Sequence, residues 1–285
     1  MRPTYGRYPG EGTLPITQDK FDKPGPLARS VSDLVLFDQV AAGDPRPIGA
    51  APLAGARLGI APSFFFEGLD EEVEPVLAAA LSKLESAGAT IVKADLPKLF
   101  EAVPSLALTI GAYELLGSLA AFLAKHGAGV NAEEVLAQAG VNMKRILEPM
   151  ARSPNPIPEA TYQDALRQRD VIRSELAKYF REGEIDALVF PPVLCAPPAL
   201  GDNAEIDIRG KKVSILIAIA RNTALSPYTG LPGLVLPAGM TKTGLPVGIE
   251  FDALPGRDRE LLALGLSAED ALGPIPAPTI SKPSA

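Results

Sequence analysis

Arg57-Leu58-Gly59-Ile60-Ala61, then Asp70-Glu71-Glu72-Val73-Glu74-Pro75-Val76-Leu77-Ala78-Ala79-Ala80-Leu81-Ser82-Lys83-Leu84-Glu85-Ser86-Ala87-Gly88, then Thr90-Ile91-Val92-Lys93-Ala94 is the stretch that decides the fold. The two short outer blocks read as strands. The middle block places Val73, Val76, Leu77, Ala80, Leu81 and Leu84 on one helical face. Asp70 suits its N-terminal cap and Gly88 its end. Strand, helix and strand with short joints form a βαβ unit, so a parallel strand pair with a right-handed crossover is expected.

Downstream, Asp186-Ala187-Leu188-Val189-Phe190 is an apolar run closed by Pro191-Pro192. A run without alternation suits a strand buried on both faces, at the centre of a sheet. Leu234 to Leu236 and Val247 to Phe251 read as two more strands, joined by a turn around Lys242-Thr243-Gly244. Pro158 to Phe180 reads as the longest helix, burying Ala165, Ile172, Leu176 and Tyr179 or Phe180. Arg257 to Ala271 reads as a closing helix. Leu99 to Met150 is helical, with breaks expected at Pro104, Gly127 and Gly140, and is expected either to pack plainly on the sheet or to form a lid. Val213 to Ala220 is apolar enough to be a buried helix or strand. Before residue 20 only Leu14-Pro15-Ile16 suggests a strand. The fold class is α/β, a mixed sheet flanked by helices. Residues 1–285 read as one domain, with 274–285 as an extended arm.

The chain carries a net charge of −7 with 47% hydrophobic residues and a single cysteine, Cys195. An acidic balance argues against a nucleic-acid partner. One cysteine excludes an internal disulfide framework, and one histidine, His126, disfavours a His-based triad or a His-rich zinc site. The longest apolar run falls short of a membrane span, and the polar, Pro- and Gly-rich start does not resemble a leader. A cytoplasmic protein with no membrane partner is the expectation.

Arg2-Pro3-Thr4-Tyr5-Gly6-Arg7, followed by Asp22 and then Pro24-Gly25-Pro26-Leu27-Ala28-Arg29-Ser30-Val31, resembles the segment just after the nucleophile region of amidase-signature enzymes. The pattern continues with Phe64-Phe65-Phe66, Gly68-Leu69-Asp70, Arg221-Asn222-Thr223, Gly230-Leu231-Pro232-Gly233-Leu234 and Gly244-Leu245-Pro246-Val247-Gly248. Within the family it is most similar to indoleacetamide and mandelamide hydrolases. The resemblance implies amide hydrolysis to acid and ammonia with an aromatic, uncharged acyl group, and no metal or cofactor. It also implies that the family's Lys, cis-peptide Ser and nucleophilic Ser belong to a part preceding Met1. The chain then supplies no catalytic residue, and on its own is expected to be inactive. The alternative is a non-catalytic remnant that binds a small molecule or a partner chain. The sheet edge left open would favour self-association.

Candidate pocket residues are Arg145, Asn222, Thr223, Ser226 and Tyr228. Arg145 could equally lie on a solvated helix face, and Asn222 and Thr223 are better suited to bracing a loop. Ser226 stands where the family approaches its substrate. Asp22, with Arg29 as the nearest cation in sequence, is the candidate loop support. It could contact the Pro24–Arg29 loop in place of the family's arginine, or be a solvated loop carboxylate. Lys23 departs from the Thr usual at that place in the family. Ser30 with Asp33 suits a helix cap, a buried inert role suits Cys195, and His126 suits a helix C-terminus.

Overall fold

A computed structural model describes residues 1–17, 19–127, 129–141, 144–145, 148, 156–201 and 204–277. The βαβ unit forms as read. Strand β1 (Arg57–Ile60) leads through a π-turn at Pro62–Phe66 to helix α2 (Val73–Ser86) and strand β2 (Thr90–Lys93). β1 and β2 pair in parallel, Arg57 opposite Thr90. Asp70 is not the cap expected of it: Glu72 is the N-cap of α2 and makes no side-chain cap bond, while the Asp70 carboxylate accepts from Glu72 N at 2.8 Å in the turn before the helix.

Strand β3 (Ala187–Phe190) is buried along its whole length. It pairs in parallel with β1 and antiparallel with β7 (Pro246–Asp252), which pairs antiparallel with β6 (Gly233–Met240). The five-stranded order is β2-β1-β3-β7-β6, so the apolar run at 187–190 is central. β4 (Glu205–Ile208) and β5 (Lys211–Ser214) form a separate hairpin.

Alternation along the strands divides the core between two faces. Leu58, Val189, Leu234, Leu236, Ile249 and Phe251 meet α2 and the closing helix α8 (Asp258–Leu272) on one face. Helix α1 (Val31–Ala41) packs on α8 behind them. Leu188 and Phe190 meet the other layer, built from α3 (Val103–His126), α5 (Glu159–Glu182) and the short α7 (Leu225–Thr229). Two further short helices are α4 (Ala132–Ala137) and α6 (Ile215–Ala220). The α5 face is the one read from spacing: Ala165, Ile172, Leu176 and Phe180 are buried.

Several expectations change. Leu14–Ile16 forms no strand; Arg2 instead makes an isolated antiparallel bridge to Gly233 at the outer edge of β6. Pro104 starts α3 rather than breaking it, because a first-turn proline sacrifices no helical hydrogen bond. The 98–126 stretch is long and apolar enough to cross a membrane by length and composition. Here Ile110, Glu114, Leu115 and Leu119 of that helix are buried in the fold. The Val213–Ala220 run is not interior: Leu216, Ile217 and Ile219 are exposed, Ile217 by 53%. Only Ala218 of α6 is buried. Residues 274–277 carry no regular element, and the rest of the expected arm lies outside the described residues.

Candidate functional site

Two of the sequence motifs meet at the end of β3. Asn222 donates from Nδ2 to Phe65 O at 2.9 Å and to Pro191 O at 2.7 Å, and Arg221 also reaches Phe65 O. The Phe65 ring stacks on Phe190 with centroids 4.1 Å apart. Asn222 therefore braces the turns after β1 and β3, as its residue type suggested. Thr223 caps back onto Ile219 and Ala220 carbonyls within its own turn.

Ser226 and Tyr228 sit on α7 and are fully buried. The Ser226 hydroxyl donates to the Asp252 carboxylate. The Tyr228 hydroxyl reaches Ala165 O at 3.3 Å, and burial pushes its ionisation well above the usual phenol range. Neither side chain lines an open pocket in this structure, because α5 and β7 close over the face of α7 that carries them. Arg145 is exposed in a helical turn whose flanking residues 143, 146 and 147 lie outside the described residues.

Asp22 has a different partner from the one expected. Its Oδ2 accepts from Thr17 N at 2.7 Å and Thr17 Oγ1 at 2.8 Å, while Arg29 is exposed. A backbone N–H already fixed nearby satisfies the carboxylate without ordering a long Arg side chain. Ser30 does cap α1, accepting from Asp33 N at 3.1 Å, and Glu269 of α8 holds Val31 N. Cys195 is buried, which pushes its thiol up, with Asp70 adding to the effect. His126 ends α3 with its ring against Phe122.

Sequence reasoning missed the densest polar cluster. β7 presents Gly248, Glu250 and Asp252 to one face and Val247, Ile249 and Phe251 to the other. Both acids are buried. Arg2 spans them, its Nη2 lying 3.1 Å from Glu250 Oε1 and 3.0 Å from Asp252 Oδ1. Burial, reinforced by its acidic neighbour Asp252, raises Glu250 to about 8. Asp252 is raised as well, chiefly by burial and against the pull of Arg2. Burial and mutual repulsion thus favour the protonated form in this carboxyl pair, against the pull of Arg2. The available signal was the i, i+2 spacing of Glu250 and Asp252 with Gly248, which puts both on one strand face.

The rest of the N-terminal motif extends this clamp. Thr4 donates from N and Oγ1 to Asp258 at 2.7 and 2.5 Å. Arg7 holds Asp38 through two bonds of 2.6 Å, and the Tyr8 hydroxyl donates to the same carboxylate at 2.7 Å. Residues 2–8 are thus tied to β7, α1 and α8 by charge-assisted hydrogen bonds. Chemically the cluster is a fastening: Ser226 and Asp252 are both fully buried among the described residues. Among the described residues no group of His, Cys, Asp and Glu has the arrangement to hold a metal ion.

Comparison with known proteins gives this architecture its relatives. An indoleacetamide hydrolase of Agrobacterium vitis is 33% identical over 274 residues, 95% of this chain and 58% of that protein. A mandelamide hydrolase of Pseudomonas putida is 31% identical over 99% of this chain and 56% of its own length. A solved amidase structure superposes with a TM-score of 0.77 at 27% identity, over 95% of this chain and 58% of that one. A bacterial aryl acylamidase structure, 20% identical with a TM-score of 0.72, shares the fold. The chain thus spans a little under three fifths of the length of these relatives. The Amidase family profile matches residues 1–262, and the chain belongs to that family.

Proposed function

We propose that this chain forms the outer sheet and pocket wall of an amide hydrolase for arylacetamide-like substrates. The attacking serine and its proton relay come from polypeptide outside these 285 residues. The supporting names are those of the indoleacetamide and mandelamide hydrolases it resembles. The observation that carries the reading is how three side chains able to act as nucleophiles, Ser226, Ser30 and Cys195, are engaged. Ser226 is buried and bonded to Asp252, Ser30 is bonded to Asp33 N, and the Cys195 thiol is buried and raised. Acyl transfer needs an activated nucleophile and preorganised oxyanion donors acting together. Walls that bind substrate without favouring the transition state do not accelerate the reaction.

The test is ammonia release from indole-3-acetamide and mandelamide. The 285-residue chain should release none above background. A chimera extended at Met1 with the preceding portion of the Agrobacterium vitis relative should turn over. Activity of the short chain that disappears in S226A, S30A or C195A would overturn the reading.

A second reading, association with another polypeptide, is favoured by one specific observation. Leu216, Ile217 and Ile219 are exposed on α6, and Val235 on the edge strand β6. Beyond the Arg2 bridge at Gly233, no described strand pairs with the outer edge of β6. Pro237 and the irregularity that follows it weaken that edge as a template. Sedimentation of the purified chain reports on this reading.

A further inference from the structure

The N-terminal loop encloses a cleft of about 150 Å³, lined by Tyr5, Tyr8, Thr13, Thr17, Asp22 and Lys23 among others. Lys23 is the cationic side chain in that wall. Its Nζ is buried and has no hydrogen-bond partner among the described residues. An ammonium offers three donors and no acceptor, so a buried one left unpaired is strongly unfavourable. Elsewhere in the same loop the charged groups are paired: Asp22 by Thr17, Arg7 by Asp38. Lys23 stands apart from that pattern, and it occupies the position where the family usually has Thr.

We propose that this cleft binds a compact monocarboxylate, with Lys23 as its counter-ion. Lys23 is one of the residues lining the cleft, its buried Nζ lies near Arg2, Arg169, Asp252 and Asp258, and occupancy requires the flexible side chain to turn Nζ toward the ligand. Cavities of this volume take up a molecule about the size of benzene, which admits acetate and excludes an indole acid. Thr13, also in the lining, carries a hydroxyl able to donate to a carboxylate. Asp22 stands in the same wall and disfavours a second negative charge on the ligand, so a monoanion fits better than a phosphate dianion.

The linkage to pH follows from the surroundings of the amine. Burial, then repulsion from Arg2, lowers Lys23 to about 8, with Arg169 acting in the same sense and Asp258 and Asp252 against it. Tyr8, whose hydroxyl shares Asp38 with Arg7, also lines the cleft. A carboxylate paired with Nζ favours the charged form, so binding near pH 8 takes up a proton. Above pH 8 affinity falls about tenfold per pH unit.

The experiment uses the 285-residue chain and sodium acetate, with sodium chloride at equal ionic strength as control. Binding is followed by saturation transfer to acetate, and proton uptake by electrode in weakly buffered solution at pH 8. Saturable binding with proton uptake is expected for the wild type. K23M and K23T should bind at least tenfold more weakly and take up no proton. T13V should bind a few-fold more weakly and keep the uptake. Indole-3-acetate should bind at least tenfold more weakly than acetate. Acetate binding by K23M or K23T equal to the wild type overturns the proposal, as does wild-type binding that is non-saturable or proceeds without proton uptake. If both Lys23 variants fail to fold, the wild-type uptake decides.

Discussion

Glu250→Gln isolates the buried carboxyl pair. The wild-type side chain is 2% exposed, and its ionisation is raised from 4.5 to about 8. A group raised in the folded state stabilises fully below its unfolded value, and that stabilisation is lost as pH rises through the folded value. For Glu250 the window runs from pH 4.5 to about 8. One pH unit of difference corresponds to about 1.4 kcal/mol, so the loss between pH 4.5 and pH 7 is roughly 3 kcal/mol. Gln has the shape of the protonated acid and can donate toward Asp252 as that acid would, but it cannot ionise. E250Q should therefore match the wild type within about 1 kcal/mol at pH 5 and exceed its stability by a few kcal/mol at pH 8. Urea denaturation followed by circular dichroism at pH 5, 6, 7 and 8 measures both proteins. Parallel stability-versus-pH curves for the two would refute the account in which burial favours the protonated form of the Glu250–Asp252 pair.

Arg2→Met removes the cation bridging both acids and should cost about 3–5 kcal/mol at pH 7, since the buried charge on Asp252 is left without its partner; the urea midpoint reports it, and cleavage by a non-specific protease should move into the first 17 residues. Asn222→Ala strands the Pro191 carbonyl and leaves Phe65 O to Arg221 alone, and should cost roughly 1–3 kcal/mol, seen as a lower thermal midpoint; an unchanged midpoint would mean that the brace contributes nothing. Ile217→Lys lies on an exposed position and should change stability by no more than about 0.5 kcal/mol. If the chain self-associates through α6, the same substitution should shift its sedimentation to the monomer, and an unchanged oligomer would exclude that face.

What the sequence determined by itself were the features encoded over short distances. The period of Val73, Leu77, Ala80 and Leu84 fixes the α2 face, and all four are buried. The unbroken apolar run at 187–190 can satisfy itself only between two layers, which made β3 central. Ser30 capping α1 is a contact three residues long. The family motifs were legible too, and Asn222 could be read as a brace because a buried amide must find carbonyls. Only the tertiary structure decided what depends on neighbours far along the chain. Glu250 and Asp252 alternate like solvent-facing strand residues, yet both are buried: Ser226 of α7 meets Asp252, and Arg2 arrives from 250 positions away to meet Asp252 and also pairs with Glu250. Asp22 chose Thr17 over Arg29 because a prearranged backbone donor costs less order than a long side chain. The apolar residues of α6 read as core, but no described element packs over Leu216, Ile217 and Ile219, so hydrophobicity alone did not bury them. Local periodicity states which residues could be inside; only the packing of distant segments determines which ones are, and what charge they carry there.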